Sequence, residues 1–240
     1  MASPLEQFEI HTMHPMTIGG VNAAFTNSSL YMAIAVVGVT LFLTLGMRKA
    51  ALVPGRWQSM SELLYEFISG MVRDNAGHDA RPYFPFVFTL FMFILFANMI
   101  GLVPGSFAVT SHVIVTFALA AVVFLGVTLI AIAKHGLKFF TYFLPPDTPL
   151  YMAPLLVPIE IISYLARPIT LSLRLFANMM AGHTMLHVFA GFVIALGIFG
   201  IAPMAVIVAL YVLELLVALL QAYVFAILTC LYLHDALHLH

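Results

Sequence analysis

Charge is what this sequence has least of. Only 8% of its 240 residues are Asp, Glu, Lys or Arg, where soluble domains carry about 25%. With 63% hydrophobic residues and a mean hydropathy of +1.08, that excludes a soluble core and implies an integral membrane protein. The few charges nearly cancel, nine basic against ten acidic, which argues against nucleic acid as a partner. Cysteine is almost missing: Cys230 stands alone, so there is no disulfide framework and no Cys-based metal site. No GxxxxGK(S/T) or GxGxxG stands at a strand–helix junction, and no nucleotide or cofactor is expected on this chain. The N-terminus has neither the basic nor the apolar region of a cleaved signal, so the first apolar helix is expected to insert the protein.

What is present is long apolar runs. About 20 such residues span a bilayer, and segments 29–47, 83–103 and 111–133 qualify. Arg48, Lys49 and Arg56 follow the first, and Lys134 and Lys138 follow the third. Basic residues favour the cytoplasmic side, which puts the N-terminus outside and the C-terminus in the cytoplasm. Residues 57–75 differ. Met60, Leu63, Leu64, Phe67, Ile68, Met71 and Val72 form one stripe, which predicts an amphipathic helix. It either lies in the interface plane with Trp57 as anchor or packs on a partner subunit.

Between 139 and 158 five prolines (Pro145, Pro146, Pro149, Pro154 and Pro158) predict a bent interfacial connection. Apolar sequence then runs over 155–199 and 204–235. The first of these would be roughly 65 Å of helix, about twice the hydrocarbon thickness, so it must tilt, lie partly in the membrane plane or break. Pro168 and Gly182 offer kinks, and Gly197, Gly200 and Pro203 mark the turnaround. The expectation is an all-α membrane protein, one domain over 1–240. It has five crossings, one interfacial helix, and long tilted final helices without the internal repeat of many transporters.

Those last two helices hold the polar residues that need explaining. Arg174 is foremost, because a guanidinium keeps its proton and costs at least about 2.5–3.5 kcal/mol near the bilayer centre. Glu160, Arg167 and Arg174 recur every seven residues along one helix face, and Thr170 and Asn178 extend that stripe. Glu160 and Arg167 read either as an internal ion-pair ladder or as part of a pathway. No acid lies one turn from Arg174.

His183, nine residues on, faces the opposite side of the helix with a titratable imidazole. His183 and His187 are one turn apart, but neither HExxH nor a nearby Cys or Asp supports metal. On the final helix Glu214 and Gln221 share a face. A buried carboxylate with a partner, either His183 or Arg174, can relay protons; the plainer reading is a polar clamp between helices. Ala177, Ala181 and Gly182 remove bulk beside Arg174 and predict a partner helix bearing an acid. Asn98 reads as structural. His234, Asp235, His238 and His240 read as a frayed tail.

The run LSLRLFANMMAGH at 171–183, with Glu160 and Arg167 before it and Glu214 and Gln221 after it, resembles subunit a of F-type ATP synthases. The resemblance extends over the whole chain in the order of its spans. It implies a non-catalytic stator working against a ring of c subunits, with b-type peripheral stalk subunits and the rest of the complex as partners. It implies a bacterial inner membrane, or alternatively a mitochondrial one.

Residue by residue, the resemblance makes Arg174 the essential fixed charge. His183 and Glu214 become an outer half-channel relay, and Gln221 and Asn178 the polar neighbours of the arginine. Glu160, Arg167 and Thr170 become an inner half-channel or polar stripe; no metal is implied. The alternative is a secondary transporter or cation/proton antiporter binding substrate at Glu214 and Arg174. An intramembrane metalloprotease using His183 and His187 is a third reading.

Overall fold

The first membrane helix starts where a threonine can cap it. Thr26 accepts the Ser29 amide at 3.3 Å, satisfying one of the N–H groups that a helix start leaves open. This computed structural model describes residues 10–14, 17, 18, 21, 22, 24–48, 51, 53–103, 105–136, 139 and 152–238. The cap opens α1 (Asn27–Met47). Ahead of it, Thr12–His14 pairs antiparallel with Phe25–Thr26, and Thr17–Ile18 with Val21–Asn22; hydropathy did not announce these short ladders.

The amphipathic segment is α2 (Arg56–Ala76). It packs against α1 and the last helix, burying Ile68, Met71, Val72 and Ala76. Met60 and Phe67, from the same stripe, stay about half exposed, and Leu63 and Trp57 about two-thirds. Part of the apolar face therefore meets this chain's own helices, a packing the sequence pattern could not tell from lipid or a partner.

A 3-10 turn at His78–Tyr83 leads into α3 (Phe84–Gly101), the most enclosed of the spans. Asn98 is fully buried there: it donates to the Ala218 carbonyl at 3.1 Å and accepts from Thr110 Oγ1 at 2.9 Å. One side chain thus ties α3 to the last helix and to the 3-10 turn Val109–Ser111. The structural reading of Asn98 is what the geometry gives. Next comes α4 (Val113–His135), joined to the fifth helix by a Thr128–Tyr164 hydroxyl contact of 2.7 Å.

Two long helices complete the bundle. α5 (Ala153–Leu196) has 44 residues and α6 (Ile201–Leu237) has 37, about 66 and 56 Å of rise. They run antiparallel around a 3-10 turn, Gly197–Gly200. Gly197 sits at φ +55, a left-handed conformation that other residues adopt only at a cost. Among the described residues five helices are long and apolar enough to cross a membrane, and the protein is an all-α, multi-pass membrane protein. The common core is built on Ile68, Met92, Ile94, Leu175, Met179, Phe225 and Leu233, and it encloses Cys230 completely.

Several expectations need correction. Pro154 and Pro158 are not in a connection; both lie in α5, which begins at Ala153 with a proline in its first turn, where the missing N–H is harmless. α5 also runs unbroken through Pro158, Pro168 and Gly182, so of the three ways to fit so long a helix, a break is excluded. Residues 140–151, with Pro145, Pro146 and Pro149, lie outside the described residues, as do Lys49, Lys138 and His240. The C-terminal residues His234 and Asp235 are helical rather than frayed, because Ala236 and Leu237 beyond them are buried.

Candidate functional site

Antiparallel packing fixes which residues of α5 and α6 can meet. Near one end Arg167 donates to Asp235 at 3.1 Å. Toward the other, His183 Nε2 lies 3.5 Å from Glu214 Oε1. These two contacts set the register, and it places Gln221 level with Ala177 and Asn178.

The His183–Glu214 contact is the most enclosed polar contact between the long helices. The side chains are 10% and 5% exposed. Gly182 makes it possible: a Cβ there would stand 2.7 Å from Glu214 Oε1 and 2.9 Å from its carboxyl carbon. The smallest residue in the motif is thus the seat of the carboxylate, and no partner helix is needed to explain it. Neither oxygen of Glu214 accepts a hydrogen bond among the described residues. A carboxyl beside an imidazole, with no other claim on its lone pairs, can pass a proton either way.

A cavity of about 540 Å³ reaches His183 of this pair. Its walls come from the first turn of α1 (Asn27 and Tyr31), the α3–α4 connection (Ser106 and Phe107), and His183, His187 and Tyr211. Tyr211 lies one turn before Glu214, and its hydroxyl donates to the Leu102 carbonyl. His187 has Nδ1 2.9 Å from the carbonyl of His183, so its ring is held against its own helix. Hydroxyl, amide and imidazole groups thus share the lining with the apolar Leu102, Val103, Leu186 and Ile207.

Arg174 is on the other side of α5. Nine residues before His183, it is exposed along with Leu173, Ala177 and Ala181, as half a turn of rotation requires. It has no ion pair among the described residues. A shallow groove of about 530 Å³ runs beside it, lined by Ala177, Met180, Ala181, Thr184 and Val188. Asn178 and Gln221 are half-buried at that level. No hydrogen bond joins Gln221 to Arg174 among the described residues.

The stripe below Arg174 does not act as a ladder. No Glu160–Arg167 ion pair forms among the described residues; seven residues of helix separate them by about 10 Å. Arg167 instead reaches across to Asp235, with its guanidinium 5.5 Å from the Tyr164 ring and 5.1 Å from that of Tyr232. Thr170 donates back to the Ala166 and Arg167 carbonyls of its own helix, which leaves its hydroxyl little to offer a pathway.

The sequence reading missed Asp235 as a partner, and Tyr211 and Tyr31 as cavity walls. Asp235 had a signal: it lies fourteen residues beyond Gln221 and so repeats the seven-residue spacing from Glu214. Tyr31 had none, since its place depends on how α1 leans on the α3–α4 connection.

A family profile described as ATP synthase A chain matches residues 29–234. Among curated proteins, the ATP synthase subunit a of Parvibaculum lavamentivorans is 60% identical, covering 98% of this chain and 93% of its own length. That of Paramagnetospirillum magneticum is 55% identical and that of Rhodospirillum rubrum 51%, each covering 100% of both chains.

Proposed function

We propose that this chain, which belongs to the ATP synthase A chain family, is the non-catalytic membrane stator that carries protons to and from a ring of c subunits. The observation that carries the proposal is the separation of two chemistries on α5. On one side a titratable pair is enclosed, with Glu214 against His183 and His183 lining a cavity, and a fixed positive charge, Arg174, is exposed on the other.

In this reading the cavity is the outer half-channel of a bacterial inner-membrane protein whose C-terminus is cytoplasmic. A proton enters past Tyr31 and His187, exchanges between His183 and Glu214, and moves by way of Gln221 and Asn178 toward the exposed face of α5. There it neutralises a carboxylate on a c-subunit helix, which can then turn into lipid. A returning carboxyl releases its proton to the cytoplasm past Glu160 and Arg167. Arg174 holds the carboxylate in its charged form as it passes, and its unchanging charge keeps protons from leaking straight across. The driving force is about 2.3 kcal/mol per charge per 100 mV, so several protons must cross per ATP.

Arg174→Ala is expected to insert and assemble normally and to abolish ATP-driven proton pumping in inverted membrane vesicles. Normal coupled pumping by that variant would sink the proposal. Arg174→Lys separates charge from geometry: a wild-type rate would mean the guanidinium itself is dispensable. A secondary transporter or antiporter would instead move protons as a lone chain in liposomes, and this chain is expected not to.

A further inference from the structure

We propose that the recess between α2 and the start of α3 binds the phosphate of an anionic diacyl phospholipid. The recess is about 520 Å³ and brings together Arg73, His78 and Arg81, with Ser69 among them and Tyr65 and Phe84 on its apolar wall. Two guanidiniums converging on one hollow suit a phosphate, whose oxygens match their planar fork.

The nearby acids do not cancel that charge. Asp74 meets Arg73 by a single contact of 3.4 Å, with both side chains more than 60% exposed, a pairing of little strength in water. Asp79 is turned away toward Lys134 at 3.6 Å and His238 at 4.0 Å. Arg81 has no ion pair among the described residues.

The walls favour a lipid over a soluble anion. Tyr65, Phe84 and Phe88 form a continuous aromatic series, with ring centroids 4.8 and 5.6 Å apart, running from the recess onto the membrane span of α3. The exposed Trp57, Met60 and Leu63 of α2 set that helix at the depth of the headgroups. A phospholipid would use both features at once: its phosphate the arginines, its acyl chain the aromatic series. A free phosphate or an acidic peptide would leave the aromatic series unused.

None of these residues belongs to the proposed proton path, so the test stands apart from it. The intact complex is reconstituted in nanodiscs of phosphatidylcholine containing a trace of photoreactive phosphatidylglycerol. Label is expected on the peptide spanning residues 65–85. Excess phosphatidylglycerol should displace it, and excess inorganic phosphate should not. R73Q/R81Q should lower that labelling about thirtyfold and leave labelling elsewhere on the chain unchanged, which shows that the fold is intact. R73K/R81K, which keeps the charge, should retain most of it. Equal labelling of R73Q/R81Q and wild type would overturn the proposal. So would displacement by inorganic phosphate, or an unlabelled recess occupied by an acidic segment of another subunit.

Discussion

Adding one methyl group at position 182 is the smallest change that reaches the relay. Its carbon would stand 2.7 Å from Glu214 Oε1, so Gly182→Ala has to move the carboxylate away from its seat. Overpacking of this kind costs about 1–3 kcal/mol. We expect the variant to assemble in normal amounts and to pump protons several-fold more slowly, read as ATP-driven fluorescence quenching in inverted vesicles; an unchanged rate would mean the position of Glu214 is immaterial. Exchanging the pair, His183→Glu with Glu214→His, should restore part of the transport that Glu214→Gln loses, since the exchanged pair still offers one acid and one imidazole. At Asn98 the prediction concerns stability. Asn98→Ala leaves the Ala218 carbonyl and the Thr110 hydroxyl without their buried partners, a loss of about 1–3 kcal/mol. It should lower the melting temperature of the detergent-solubilised protein.

At the scale of elements, α5 and α6 are held at one end by Arg167 and Asp235. The pair is partly exposed, Arg167 by 23% and Asp235 by 42%, so its ionic part is worth up to about 1 kcal/mol, and the two tyrosine faces add about 0.5–1 kcal/mol. Asp235→Ala should therefore loosen the last turns of α6, seen as faster proteolysis near the C-terminus. Arg167→Asp combined with Asp235→Arg should recover only the ionic part, because the aromatic contacts belong to the arginine on α5.

The same contact shows what sequence reading can reach. Membrane helices are legible because length and apolarity alone decide them, and the turnaround is legible because glycine is needed there. Asp235 reads as tail in the sequence because its partner lies 68 residues away and His234 and His238 flank it within three residues. Proline density puts Pro154 and Pro158 in a bent connection, yet proline in a first turn breaks nothing and Pro158 is tolerated inside the helix. The facing of His183 and Glu214 needed the register of two helices, which no single helix pattern contains.

For the molecule as a whole, the notable surface is the outer side of the two long helices. Leu173, Met185 and Val188 of α5 and Leu213, Leu216 and Leu220 of α6 are all 40–55% exposed, and Arg174 lies among them. Lipid satisfies the leucines but not the guanidinium. In the proposed assembly a c-subunit helix covers the groove at Ala177 and Ala181. Ala181→Cys should then form a disulfide with a cysteine placed next to the c-subunit carboxylate, detected as a shifted band on a non-reducing gel, and no such band would argue against this face. The buried Cys230 gives no background label.

The length of α5 has one more consequence. A straight helix of about 66 Å confined to a membrane about 30 Å thick travels roughly 59 Å sideways. Residues 160 to 183 would then succeed one another along the membrane plane, in which a ring sweeps, more than along the direction of depth. For a carboxylate carried past this chain, position in the sequence becomes position in the cycle: the order of side chains along α5 is a schedule of encounters.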